Sequence, residues 1–154
     1  MPRTGIDLTV EIAAPAIRVF DAFFDPALLQ RWWQVDRAIV CGRLFGPFAL
    51  EWASTPFADP VLGTLGGTFH GTVLDLRRPR EVFIGECYWL PPEGPAIGPM
   101  ALTITCTPAG DLTQLRVQQS GFDDVPRWRR YYEITNAGLK ACLEELRRVL
   151  ERPA

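Results

Sequence analysis

The end of the chain constrains its fold most. Between residues 126 and 151, Leu139, Cys142, Leu143, Leu146, Val149 and Leu150 recur at helical spacing, and Trp128, Tyr131 and Thr135 extend the stripe toward the N-terminus. Glu144, Glu145, Arg147 and Arg148 take the opposite, solvated side. A helix of this length has to bury its stripe against another apolar surface. Everything between residues 37 and 119 reads as strand and turn, so that surface is a sheet.

Alternation supplies the strands. Ile6, Leu8, Val10 and Ile12 interleave with Asp7, Thr9 and Glu11, the pattern of a half-buried strand. Six more strands are expected at residues 37–41, 47–53, 68–77, 81–89, 100–107 and 113–119, with turns at Arg78-Pro79, at the Pro/Gly-rich run 91–99 and at Ala109-Gly110-Asp111. Leu102, Ile104 and Cys106 alternate with threonines, so one side of the sheet is wet and the sheet is antiparallel. Two short helices follow the first strand. Pro15 fits a first helical turn, with Ile17, Phe20 and Phe24 at helical spacing. Asp25-Pro26 starts the second, with Asp25 as N-cap, and Trp32-Trp33 ends it. Residues 54–67 form a connection of the length at which loops act as lids.

The order is strand, two short helices, about six strands and one long helix, which is α+β. No repeat, linker or charge block divides the chain, so residues 1–154 are read as one domain. A strongly curved sheet wrapped around one helix leaves space between them, and that space is the default ligand cavity. Gly138 lies in mid-helix at a cost of about 1 kcal/mol relative to alanine, and close approach of the helix to the sheet is the expected reason.

Composition narrows the functional classes. With 47% hydrophobic residues in 154, the chain buries enough surface to fold without a metal or cofactor, and none is expected. A net charge of −2 creates no field that attracts nucleic acid or anionic membrane. Arg127 to Tyr132 interleaves basic and aromatic residues, but Asp123, Asp124 and Glu133 flank it. The longest apolar stretches, such as residues 44–50, fall far short of the ~20 residues of a membrane-crossing helix. Asp7 and Glu11 interrupt any secretory signal, so a cytoplasmic location is expected. Cys41, Cys87, Cys106 and Cys142 form no C-x-x-C pair, and the single histidine is His70, so the cysteines read as core residues and no metal site is expected.

The run Ile12-Ala-Ala-Pro15, Val19-Phe20, Asp25-Pro26, Leu29 and Trp32-Trp33 resembles the opening of the heat-shock-protein-90 ATPase activator-like family. That family belongs to the START/polyketide-cyclase superfamily. Gly71-Thr-Val73-Leu-Asp75-Leu76 with Pro79 is similar to a family strand. Thr103-Ile104, Pro108, Gly110, Thr113, Leu115 and Ser120-Gly121-Phe122 are similar to its last two strands. Gly138-Leu139, Leu143, Leu146 and Leu150 are similar to its final helix. The resemblance implies the helix-grip fold, a curved antiparallel sheet of six to seven strands around the C-terminal helix. Two positions depart from it. Leu139 replaces the family's helix tryptophan, and Gly85-Glu86 stands where a Thr-Trp pair is usual.

Several residues are candidates for the cavity wall. Glu86 shares the parity of Val82 and Ile84, which points it inward, either as a pocket acid or in a structural pair with an arginine. His70 is a pocket base if its strand face looks inward, although Phe69 and Val73 compete for that face. Gln119 shares the inward parity of Leu115 and Val117 as a neutral polar contact. Tyr88 and Tyr131 offer phenol groups. Trp32-Trp33 either packs one ring under the sheet edge with the other at the surface or gates the mouth with Trp33, and Ile84, Leu102, Ile104, Trp128, Thr135 and Leu139 supply the remaining walls. The expected function is binding of a small hydrophobic molecule such as a lipid, an aromatic or a polyketide-like compound. One alternative is a cyclase- or hydrolase-type enzyme in which Glu86 or His70 moves a proton. The other, by analogy with the family, is a chaperone-interacting stress-response module. Monomer and homodimer both remain open.

Overall fold

In the computed structural model, residues 5–121 and 123–152 are described. Phe122, part of the resemblance above, lies outside them. In chain order the elements are β1 (Gly5–Ile12), α1 (Ala16–Asp21), α2 (Pro26–Trp32), β2 (Arg37–Val40), β3 (Pro47–Trp52), β4 (Ala58–Asp59), β5 (Gly63–Thr64), β6 (Gly67–Arg77), β7 (Glu81–Leu90), β8 (Ile97–Ala109), β9 (Leu112–Ser120) and α3 (Pro126–Glu151). Seven strands form one antiparallel sheet in the order β1-β9-β8-β7-β6-β3-β2, and β4 pairs only with β5. This is the helix-grip α+β fold.

Local chemistry accounts for the short helices. The Asp25 carboxylate accepts hydrogen bonds from the Ala27 and Leu28 amides at 3.0 and 3.3 Å, so the cap and the following proline start α2 together. Trp32 is fully buried and its indole N–H donates to the Ala22 carbonyl at 3.0 Å, tying α2 to the end of α1. Helix α1 differs from its expected periodicity. It ends at Asp21, before Phe24, and buries Val19 and Phe20 while Ile17 stays 41% exposed. A six-residue helix has one inner face, and Ile17 lies off it.

Three irregularities interrupt the sheet's register, on β6, on β7 and on β8, where three steps between Met100 and Ile97 oppose the two between Cys87 and Trp89. Between Ile84 and Cys87 on β7, three steps oppose the two between Leu102 and Met100 on β8, so β7 carries one extra residue. The same excess faces β6 between His70 and Thr72. Strand β6 carries its own extra residue at Leu74. Such bulges curve a strand and increase its twist. Gly71 faces the bend so closely that a Cβ there would sit 2.7 Å from Cys87 Sγ. Helix α3 packs on β1 and α2, and its last residue, Glu151, accepts the Ala13 amide at 2.8 Å. Among the described residues no helix is long and apolar enough to cross a membrane.

Candidate functional site

Sheet and helix do not close completely on each other. A cavity of about 520 Å³ lies between them, well within the roughly 300–1,000 Å³ of small-molecule sites. Its walls are aromatic. Trp33 leaves the end of α2, stacks on Trp32 at 4.8 Å and meets Trp52 edge-on at 6.1 Å. The Trp52 indole N–H donates to the Trp33 carbonyl at 3.0 Å, which holds the two rings in place. Phe69 on β6 and Trp89 on β7 form the floor, and Tyr131 of α3 lies 5.2 Å from the Trp89 ring. Leu102, Ile134 and Leu139 add aliphatic surface.

The closed end carries the polar groups. Gln119 is only 5% exposed, and its amide donates to the Tyr131 hydroxyl at 2.9 Å and faces Met100 Sδ at 3.4 Å. Burial pushes the Tyr131 phenol up to about 12, partly offset by the Gln119 and Thr135 side chains. Burial likewise raises the Cys142 thiol on the helix wall. Both groups are therefore neutral at neutral pH. At the other end Gln34, Ala53 and Gly138 line the cavity and are exposed to solvent as well, so they mark its mouth. No atom lies within 4 Å of a Cβ built on Gly138. Close packing against the sheet, the expected reason for this glycine, is thus absent, and the helix passes over open space there.

The 54–67 connection folds into the β4–β5 hairpin and covers the cavity with Leu62 and Leu65. Side chains hold it down. Asp59, with its side chain 4% exposed, accepts both Arg130 Nη2 at 2.8 Å and Arg130 Nε at 2.9 Å from α3. It also accepts the Val61 and Leu62 amides at 3.0 Å. The Arg130 guanidinium, aided by those amides, holds the Asp59 carboxyl down at about 2. On the far side, Glu93 accepts the Thr64 amide at 3.0 Å and the Thr64 hydroxyl at 2.6 Å. The Trp89 indole N–H donates to the Gly66 carbonyl at 2.8 Å. Gly66 has φ +114°, and a Cβ there would lie 2.6 Å from the Ala53 carbonyl, so the hairpin's return requires glycine.

Six residues selected from the sequence, Trp33, Leu102, Gln119, Tyr131, Thr135 and Leu139, line this cavity. Others do not reach it. Ile84 and Ile104 are fully buried in the core outside the lining, and Trp128 is buried against Gly121. Glu86 corrects the parity argument. It sits in the β7 bulge at φ +54° and is exposed, because the extra residue hands the inward positions to Cys87 and Trp89. The same shift turns Tyr88 to the outer face. There it stacks with His70 at 5.9 Å, while Phe69, Gly71 and Val73 take the inner side of β6. Neither Glu86 nor His70, the pocket acid or base of the alternative enzymatic reading, lines the cavity.

Trp52, Phe69, Trp89, Leu62 and Leu65 were missed. Trp52 was readable from its parity with Phe48 and Leu50, and Leu62 and Leu65 from the apolar character of the lid. Trp89 was not, since its inward direction depends on the bulge.

A curved antiparallel sheet gripping one long helix over an apolar cavity defines a START-like protein. The sequence places it more closely: residues 13–151 match the model of the family described as Activator of Hsp90 ATPase homolog 1-like protein, and the chain belongs to that family. No curated protein matches the chain. Among solved structures, protein CV1439 from Chromobacterium violaceum is 24% identical, with a TM-score of 0.70 and coverage of 97% of this chain and 99% of its own. Protein MLL2253 from Mesorhizobium loti is 23% identical, with a TM-score of 0.70 and coverage of 96% and 98%. The Aha1 dimer from Colwellia psychrerythraea, solved in solution, is 16% identical, with a TM-score of 0.65 and coverage of 96% of both chains. These likenesses show the shared fold.

Proposed function

We propose that this protein, acting as one domain, binds a small hydrophobic molecule between the sheet and α3. One observation carries the reading. A roomy cavity with four aromatic rings from α2, β3, β6 and β7 remains open in a chain that has ample apolar side chains to fill it. Close packing is the rule in protein interiors, and a void of this size forfeits dispersion contacts that a ligand restores. Binding is favoured over catalysis, because the lining contains only neutral polar groups and both ionisable ones are held uncharged.

The test is titration of the purified protein with N-phenylnaphthylamine, a neutral fluorescent probe, with Trp33, Trp52 and Trp89 as energy donors. Saturable one-to-one enhancement is expected, together with loss of energy transfer in Trp52→Leu. Absence of saturable binding by this probe, with no small molecule retained on native mass spectrometry, would reject the reading.

A further inference from the structure

The reading above leaves the chemical class of the ligand open, and the wall chemistry narrows it. We infer that the cavity selects flat, neutral aromatic molecules bearing a hydroxyl or N–H donor at their leading end, and discriminates against carboxylates, fatty-acid anions included. The inference rests on the proposed binding function and specifies its ligand.

Three observations support it. None of the residues lining the cavity is Asp, Glu, His, Lys or Arg. Arg130, next in sequence to the lining residue Tyr131, is committed to Asp59. An anion at the closed end would be buried without a countercharge, which costs several kcal/mol, so it would either stay out or enter protonated. Second, Gln119 lies at the closed end, 95% removed from solvent by its 5% exposure, with an acceptor to spare. Its amide nitrogen is used by Tyr131 Oη and Met100 Sδ, and none of the described residues donates to its Oε1. Gln119 lines the cavity, so this oxygen is free to accept a hydrogen bond from a ligand O–H or N–H. Third, Trp33, Trp52, Phe69 and Trp89 offer ring surfaces on several sides, which suits a planar guest in stacked or edge-on contact. The mouth at Gln34, Ala53 and Gly138 is the wet end, so the donor enters first.

The intact protein is titrated at neutral pH with naphthalene, β-naphthol, β-naphthyl methyl ether and β-naphthoate, followed by tryptophan quenching. β-Naphthol is expected to bind about 3- to 10-fold more tightly than naphthalene and the methyl ether, the contribution of one net hydrogen bond. β-Naphthoate is expected to bind about 100-fold more weakly than naphthalene, and to recover as the solution is acidified and the carboxylate becomes neutral. In Gln119→Leu, β-naphthol should fall to the level of naphthalene, with naphthalene unchanged. β-Naphthoate matching β-naphthol at neutral pH overturns the inference. So does the methyl ether matching β-naphthol, or Gln119→Leu leaving the gap intact. Should Gln119→Leu fail to fold, the wild-type ranking decides alone. Binding of all four without ranking overturns the ligand class and leaves the binding function standing, whereas failure of naphthalene itself to bind rejects both.

Discussion

Helix α3 carries one apolar stripe, yet its two halves meet different surroundings. Leu143, Leu146 and Leu150 are buried in the continuous core with Ile12, Val19 and Phe20, and the helix end is tied to Ala13 through Glu151. One to three turns earlier, Tyr131, Ile134, Thr135, Leu139 and Cys142 face a space, with Gly138 exposed at its mouth. The amphipathic pattern is the same in both halves. What differs is the opposing surface. The C-terminal half meets β1 and α2, while the N-terminal half spans the part of the sheet that the β6 and β7 bulges bend. One half anchors the fold, which leaves the other free to roof a cavity.

The largest test of this contrast is a pair of truncations. Leu146→Ala should cost about 3–5 kcal/mol, because it opens a void in a filled region. Leu139→Ala should cost about 2 kcal/mol or less, since that side chain already borders a void and loses mainly its transfer free energy. Urea midpoints measure both, and equal losses would erase the distinction between the halves.

Gly138 sharpens it. Gly138→Leu projects a side chain into the mouth and should weaken N-phenylnaphthylamine binding about tenfold, roughly 1.4 kcal/mol, while leaving the fold intact. Gly138→Ala should stabilise the protein by up to about 1 kcal/mol, the helix propensity difference, because the added methyl meets open space. A destabilised Gly138→Ala variant would mean that the helix does touch the sheet at that point.

The smallest expected effect concerns the lid. The Asp59 carboxyl is held below its ordinary value, so its bond to Arg130 contributes fully above about pH 4 and is lost as pH falls toward about 2. Hydrogen exchange in residues 58–65 should therefore accelerate across that window before the core of α3 responds. Asp59→Asn should show fast exchange at neutral pH and no such acid step. Simultaneous acceleration in α3 would show that lid and helix open as one unit.

Much of the fold was readable from local pattern. The Asp25-Pro26 cap, the alternation in β8 and β9 and the stripe of α3 each report a preference that acts within a few residues, and each appears within a residue or a few of its expected bounds. The site was half legible for the same reason. Gln119 and Leu102 sit on regular strands where parity holds, and Tyr131, Thr135 and Leu139 on a regular helix. Parity failed at Glu86 and Tyr88, because a single inserted residue reverses every later direction on a strand.

The amino-acid sequence by itself determined the elements, their order and which face of α3 is apolar, since these follow from spacing and capping along the chain. Only the tertiary structure decided that Trp89 rather than Glu86 looks inward, that the hairpin of residues 58–64 is pinned over the cavity by Arg130, and that Gly138 faces open space. Each of these depends on where a distant segment lies, and the position of a bulge or the distance between two packed layers is set by contacts that local pattern does not encode.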